Sequence, residues 1–180
     1  ELFGDEGSAH WIARAGLALF SRMSDGRAPR GPLHALLRER LALREDLDLC
    51  QVVYGDLKGE RSKIAALSRL VSEAAARGDE QAAAILEAAA IEVAALVDAV
   101  RGQLGVERGA EVAVSYSGGL FGEEGPLRAR FARALAESDA GAYRLVTPRL
   151  PPVLGAALYA ALVAGTPLDA AALARMSGEQ

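Results

Sequence analysis

Apolar positions recurring every three to four residues dominate the first two thirds of this 180-residue chain, the pattern of amphipathic helices. Ser8 stands ahead of a stripe of Ile12, Gly16, Leu19, Phe20 and Met23, which predicts a helix N-capped by the Ser8 hydroxyl and stopped at Asp25-Gly26. Leu33, Leu36, Leu37 and Leu41 predict a second helix opening at Pro32, where the missing N–H of proline costs nothing. The stretch "LDLCQVVYG" is apolar but aperiodic, and its type stays open. Ile64, Leu67, Leu70, Val71 and Ala74 predict an amphipathic helix over 60–77, ended by Gly78. Asp79 then caps a long helix carrying Ala82, Ile85, Leu86, Ala89, Val93, Leu96, Val97, Val100 and Leu104, which Gly105 terminates. The two stripes together predict a helical hairpin with both apolar faces buried.

After Gly109 the pattern changes. "EVAVSY" predicts a strand, "SGGLFGEEG" a glycine-rich loop, Pro126 to about Glu137 a helix, "AYRLVTP" a second strand and "PPVLGAALYAALVAG" another helix. Strand, loop, helix, strand, helix is the order of parallel strands joined by a helical crossover. The fold class is therefore α/β and helix-rich. Two strands make a marginal sheet, so further strands or heavy coverage by helices are expected. Val153 to Ala164 is the most apolar stretch; it falls short of the roughly 20 residues that span a bilayer and reads as a buried helix.

Composition narrows the function classes. Apolar residues at 51% and charged residues at 24% suit a globular core. Twenty basic residues interspersed with 24 acids, for a net charge of -4, argue against a sequence-independent grip on nucleic acid. No charged-then-apolar leader is evident, so no membrane partner and a cytoplasmic location are expected. Cys50 is the single cysteine, which excludes an intrachain disulfide and a thiolate metal cluster built from one chain. His10 and His34 lack a second histidine at ligand spacing and read as surface or half-buried helix residues, so no metal site is expected.

Two stretches could carry chemistry. In "GDEGS", Asp5 and Glu6 precede a helix N-terminus, where negative charge is stabilised by ~0.3–1 kcal/mol. The same arrangement, a carboxylate on a glycine-flanked turn, suits acceptance of hydrogen bonds from sugar hydroxyls. In "SGGLFG", paired glycines between strand and helix let backbone approach a flat or phosphorylated ligand without Cβ obstruction. The spacing matches neither the GxGxxG fingerprint nor a P-loop, and a plain glycine turn is the competing reading.

"GDEGSAHWI", "KIAALSRLVSEAAARGDEQAAAILEAAA", "VAVSYSGGLF" and "PRLPPVLGAALYAAL", taken in this order, resemble the C-terminal half of the N-acetylglucosamine kinase-like proteins of the BadF/BadG/BcrA/BcrD ATPase family, within the actin-like ATPase and sugar kinase superfamily. The resemblance runs from Gly4 to about Gly165. It implies the C-terminal part of a ribonuclease H-like domain, residues 1–180 being one partial second domain. The first three strands of that domain and an N-terminal domain with its phosphate loop and catalytic aspartate are expected to lie outside this chain. It also implies roles: Asp5, with Glu6 and Ser8, faces the sugar; Ser117, Gly118, Gly119, Leu120 and Phe121 face adenosine; Ala65 lies against the nucleotide; Gly155 and Ala156 form a hinge, with a close helix crossing to explain the glycine. No residue here matches a catalytic one.

The implied activity of the intact protein is phosphorylation of N-acetylglucosamine or glucosamine with ATP and Mg2+, this chain being inactive alone. A sheet edge left bare by missing strands would be covered by the N-terminal portion or by self-association, and a homodimer is expected. Two other readings stand beside it. An activator ATPase of a 2-hydroxyacyl-CoA dehydratase would need a cysteine-held cluster, for which Cys50 alone is a poor basis. A helical interaction or ligand-sensing module would need no chemistry.

Overall fold

The computed structural model describes residues 4–122 and 124–177, and in it the predicted caps start the predicted helices. The Ser8 Oγ accepts a 3.1 Å hydrogen bond from the Trp11 N–H, opening α1 (Ala9–Ser24), whose buried face holds Ile12, Gly16, Leu19, Phe20 and Met23. Pro32 is the first residue of α2 (Pro32–Arg40), which buries Leu33, Leu36 and Leu37. The aperiodic stretch after it resolves as a short α3 (Asp48–Gln51) running into a π-helical turn, Val52–Asp56, with no side chain fully buried, though Leu49 and Val52 pack against the main core.

The helix expected over 60–77 is two helices. At Leu67 the chain tightens: its N–H bonds the Ile64 carbonyl at 2.9 Å, and its own carbonyl takes the Leu70 N–H at 2.9 Å. These i to i−3 bonds redirect the chain between α4 (Arg61–Ala66) and α5 (Ser68–Ala76). As a result α4 lies on α1 while α5 packs between α2 and the long α6 (Glu80–Gln103). The Leu67 side chain is buried in the bend.

Asp79 does more than cap. Its Oδ1 accepts the Gln81 and Ala82 N–H groups at 3.1 and 3.0 Å, and its Oδ2 accepts the Leu33 N–H of α2 at 3.0 Å. One buried carboxylate therefore fixes two helix starts. The main core lies between α1, α2, α5 and α6, around Ile12, Phe20, Met23, Leu33, Leu37, Val71 and Leu86. Each such side chain contributes roughly 1.5–3 kcal/mol by burial.

β1 (Val112–Ser115) and β2 (Tyr143–Val146) pair in parallel, Val112 opposite Tyr143 through Ser115 opposite Val146. The crossover between them is α7 (Arg128–Ala136). A second core, with Ala90, Ala94, Val114, Phe131 and Leu135, joins this unit to α6. The chain continues through α8 (Pro152–Val163) to α9 (Ala170–Ser177), a helix that the hydrophobic pattern does not announce.

Two expectations about burial fail. α8 buries no residue: Val153, Tyr159, Leu162 and Val163 are 60–73% exposed, because none of the described elements lies across it. Gly155 of α8 has no heavy atom within 4 Å of the place a Cβ would occupy, so no close helix crossing accounts for it. The α6 stripe is likewise split. Leu86, Ala89 and Ala94 are buried, whereas Leu96, Val100 and Leu104 are exposed, since α5 is too short to cover the second half of α6. Among the described residues β1 pairs on one edge only.

Candidate functional site

Parallel strands in register bring their C-terminal ends to one side of the sheet, the side where open α/β sheets bind ligands. Beyond Ser115 the chain runs through Tyr116 and Ser117 into Gly118, whose φ of +101° is accessible to glycine and strained for other residues. No heavy atom lies within 4 Å of a Cβ built on Gly118 or Gly119, so this backbone faces open space. A single 3-10 turn, Gly119–Phe121, follows, and the Leu127 N–H ties the loop to the start of α7 through the Leu120 carbonyl at 3.0 Å.

Opposite this loop runs the segment after β2, from Thr147 to Pro152. Between them lies a groove of about 620 Å³ lined by Tyr116, Ser117, Gly118, Phe121, Arg128 and Arg149, with Pro151 and Pro152 at its edge. The Tyr116 ring stacks on Phe121, centroids 6.0 Å apart at 29°. On Tyr116 also lies the Arg128 guanidinium, 5.3 Å from its centroid. Phe121 in turn meets Phe131 edge-on at 5.4 Å, and Phe131 is buried in the second core. One wall of the groove is thus a column rooted in the core.

On the other face of the glycine loop a cavity of about 460 Å³ is lined by Ala9, Ser62, Ala65, Arg69, Gly119 and Leu120. The expected nucleotide-facing residues are therefore divided: Ser117, Gly118 and Phe121 line one cavity, and Ala65, Gly119 and Leu120 the other. The structure brings Ala65 to the glycine loop from a segment more than 50 residues upstream.

The GDEGS turn is built as a unit. Ser8 donates its hydroxyl to the Asp5 Oδ2 at 2.6 Å while its oxygen caps α1. Arg61, the first residue of α4, donates to the same Oδ2 at 2.5 Å, and the His10 Nδ1 stands 3.8 Å away. The Ser8 hydrogen bond, then Arg61 and His10, hold the Asp5 carboxyl below its ordinary 3.8 against the opposing effect of burial. Burial, then the Arg61 and Arg14 charges, hold His10 below 6.5, with Asp5 opposing them. Gly7 presses on α6, and Glu6 is exposed. Arg61 reaches Asp5 one helical turn ahead of Ala65, so α4 links the acid turn to the glycine loop.

Gly155 and Ala156 sit on exposed α8 and do not join either cavity, although the N-terminal end of that helix borders the groove. Tyr116, Arg128 and Arg149 escaped the reading of the sequence. The available signal was an arginine at a helix start, where the dipole disfavours positive charge.

The open glycine backbone, flat wall and size of the groove fit a nucleotide. Magnesium is a different matter: among the described residues no three His, Cys, Asp or Glu side chains cluster. Cys50 is exposed on α3. His34 stacks on Phe20 with centroids 4.8 Å apart, its Nε2 2.9 Å from Asp46. Among the described residues no helix is long and apolar enough to cross a membrane.

The profile described as the BadF/BadG/BcrA/BcrD ATPase family matches residues 1–160. The chain is 30% identical over 159 residues to an N-acetyl-D-glucosamine kinase of Dictyostelium discoideum, covering 88% of this chain and 50% of that protein. The chain thus spans about half the length of the curated relative it matches.

Proposed function

Since this chain belongs to the BadF/BadG/BcrA/BcrD ATPase family, we propose that it supplies the adenosine pocket and part of the sugar site of an ATP-dependent amino-sugar kinase. The observation that carries this reading is the groove at the C-terminal ends of β1 and β2, where unobstructed glycine backbone faces an aromatic wall. ATP, when bound, supplies the transferable phosphoryl group. Gly118 and Gly119 admit the nucleoside close to the backbone, and Ser117 offers its hydroxyl.

Asp5 is proposed to accept hydrogen bonds from hydroxyls of N-acetylglucosamine or glucosamine, with Ser8 and Arg61 holding its carboxylate in the charged, accepting form. Glu6 would stand at the edge of that site. Asp5 is proposed to hold the sugar rather than deprotonate it, because its Oδ2 is already engaged by the Ser8 hydroxyl and the Arg61 guanidinium. The base, the phosphate loop and the ligands of Mg2+ are therefore proposed to come from another part of the protein, which closes over this one. That part, or a second copy in a homodimer, would also cover α8 and the free edge of β1. Gly155 and Ala156 would then serve as the hinge.

The test is phosphoryl transfer. With ATP, Mg2+ and N-acetylglucosamine, the intact protein forms the sugar phosphate, the 180-residue chain alone forms none, and Asp5→Asn raises the sugar KM with little change in the ATP KM. Activity that is indifferent to Asp5, or present in the chain alone, contradicts the proposal.

A further inference from the structure

The groove wall holds a feature that the family assignment does not explain. Arg128 opens α7, and the first turn of that helix contains no acidic residue. A cation there meets the positive end of the helix dipole, an unfavourable placement. Among the described residues no carboxylate pairs with its guanidinium; its partner is the face of Tyr116, 5.3 Å away. Tyr116 is itself held by Phe121, and Phe121 by the buried Phe131. The half-buried Arg128 lines the groove, so it presents a guanidinium seated on an immobilised ring. A guanidinium is planar and weakly hydrated, and stacks readily on flat π-systems.

We propose that the Arg128 guanidinium, backed by Tyr116, is the platform on which the purine base of the nucleotide stacks, making Arg128 and Tyr116 specificity-determining residues of this site. The inference rests on the groove being the nucleotide site. It adds that the base, rather than the phosphates, is what Arg128 recognises. The column Phe131, Phe121, Tyr116, Arg128 fixes the plane of that surface in advance, so little ordering accompanies binding. A base added to the column would give the positive charge at the start of α7 the π-electron partner that it has on one side only.

The experiment is equilibrium binding of ATP, adenosine and inorganic tripolyphosphate to the protein and to its Arg128→Lys, Arg128→Ala and Tyr116→Leu variants. Arg128→Lys keeps the charge and loses the plane. The expected result is a loss of at least about tenfold in affinity for ATP and for adenosine in all three variants, with tripolyphosphate binding unchanged in Tyr116→Leu and Arg128→Lys. A global loss of structure would weaken all three ligands together, so the ratio of adenosine to tripolyphosphate binding reads the stack independently of folding. Full affinity for adenosine in Arg128→Lys, or a loss confined to tripolyphosphate, overturns the stack and assigns Arg128 to the phosphates. Wild-type protein that binds neither ATP nor adenosine overturns the nucleotide reading of the groove and this inference with it.

Discussion

A methyl group on Gly7 would stand 2.7 Å from the Ala89 carbonyl oxygen and 2.5 Å from the Val93 Cγ2. The acid turn is therefore seated on α6 at a spacing that only glycine permits, and its φ of +79° makes the same demand. The position of Asp5 depends on that contact.

Gly7→Ala consequently combines a strained backbone, about 1–2 kcal/mol, with a steric clash against a fixed carbonyl. Gly26 is the control, with a similar φ of +83° but no heavy atom within 4 Å of a Cβ. Urea unfolding should give Gly7→Ala a loss of about 2 kcal/mol or more and Gly26→Ala only the strain component. Equal losses would mean that the turn is not held by α6.

The Asp5 cluster predicts an acid-sensitive component of stability. The folded-state pKa of Asp5 lies below 3.8 because of Ser8, Arg61 and His10. Its contribution is therefore complete above the unfolded value and lost as pH falls through the folded one. His10, also held below its ordinary 6.5, resists protonation in the folded state, so its effect on stability begins as pH drops through about 6.5. Unfolding measured from pH 7 to 3 should show the gap between wild type and Asp5→Asn closing below about pH 4. In His10→Asn, the decline between about pH 6.5 and 5 should be reduced. Parallel curves in both variants would contradict this.

Arg101 is 4% exposed and donates to the carbonyls of Glu107, Arg108, Ala110 and Ala142, clamping both approaches to the sheet onto α6. Arg101→Met leaves those oxygens without their donor and should cost about 3 kcal/mol, read by urea denaturation. A loss under about 1 kcal/mol would show that water replaces the guanidinium.

Leu162 on α8 is 60% exposed and Leu86 on α6 is 1% exposed, although Leu162 belongs to the more apolar stretch. In the 180-residue chain as a monomer, Leu162→Glu should alter stability by no more than about 0.5 kcal/mol, whereas Leu86→Ala should cost about 2–5 kcal/mol. A large loss from Leu162→Glu in that monomer would mean that α8 packs against the chain's own helices.

The same pair shows where sequence reading stops. Ser8, Asp79, Gly78 and Gly105 announce helix ends through local chemistry, and the order strand, loop, helix, strand announces a parallel pair, so most of the described elements were legible. Burial was not, because an apolar run states what a helix would prefer to touch and not whether a neighbour exists. Leu162 and Leu96 were misjudged for that reason. The bend at Leu67 was hidden because both flanking segments keep one helical stripe. Asp5, Ala65 and Gly118 enter as candidates through a resemblance, while Tyr116 and Arg128 became visible only when the crossover brought α7 against the loop after β1.

The most direct test of the account is whether ATP binds in the groove beside Gly118. Ser117 is exposed and lines that groove, so Ser117→Trp fills it without straining the backbone. Melting temperature should rise for wild type with ATP, by an amount matching about 2.7 kcal/mol when ATP is a hundredfold above its Kd. The rise should vanish in Ser117→Trp, whose own melting temperature stays near that of the wild type. No rise in wild type at millimolar ATP, or an equal rise in both proteins, would contradict the account.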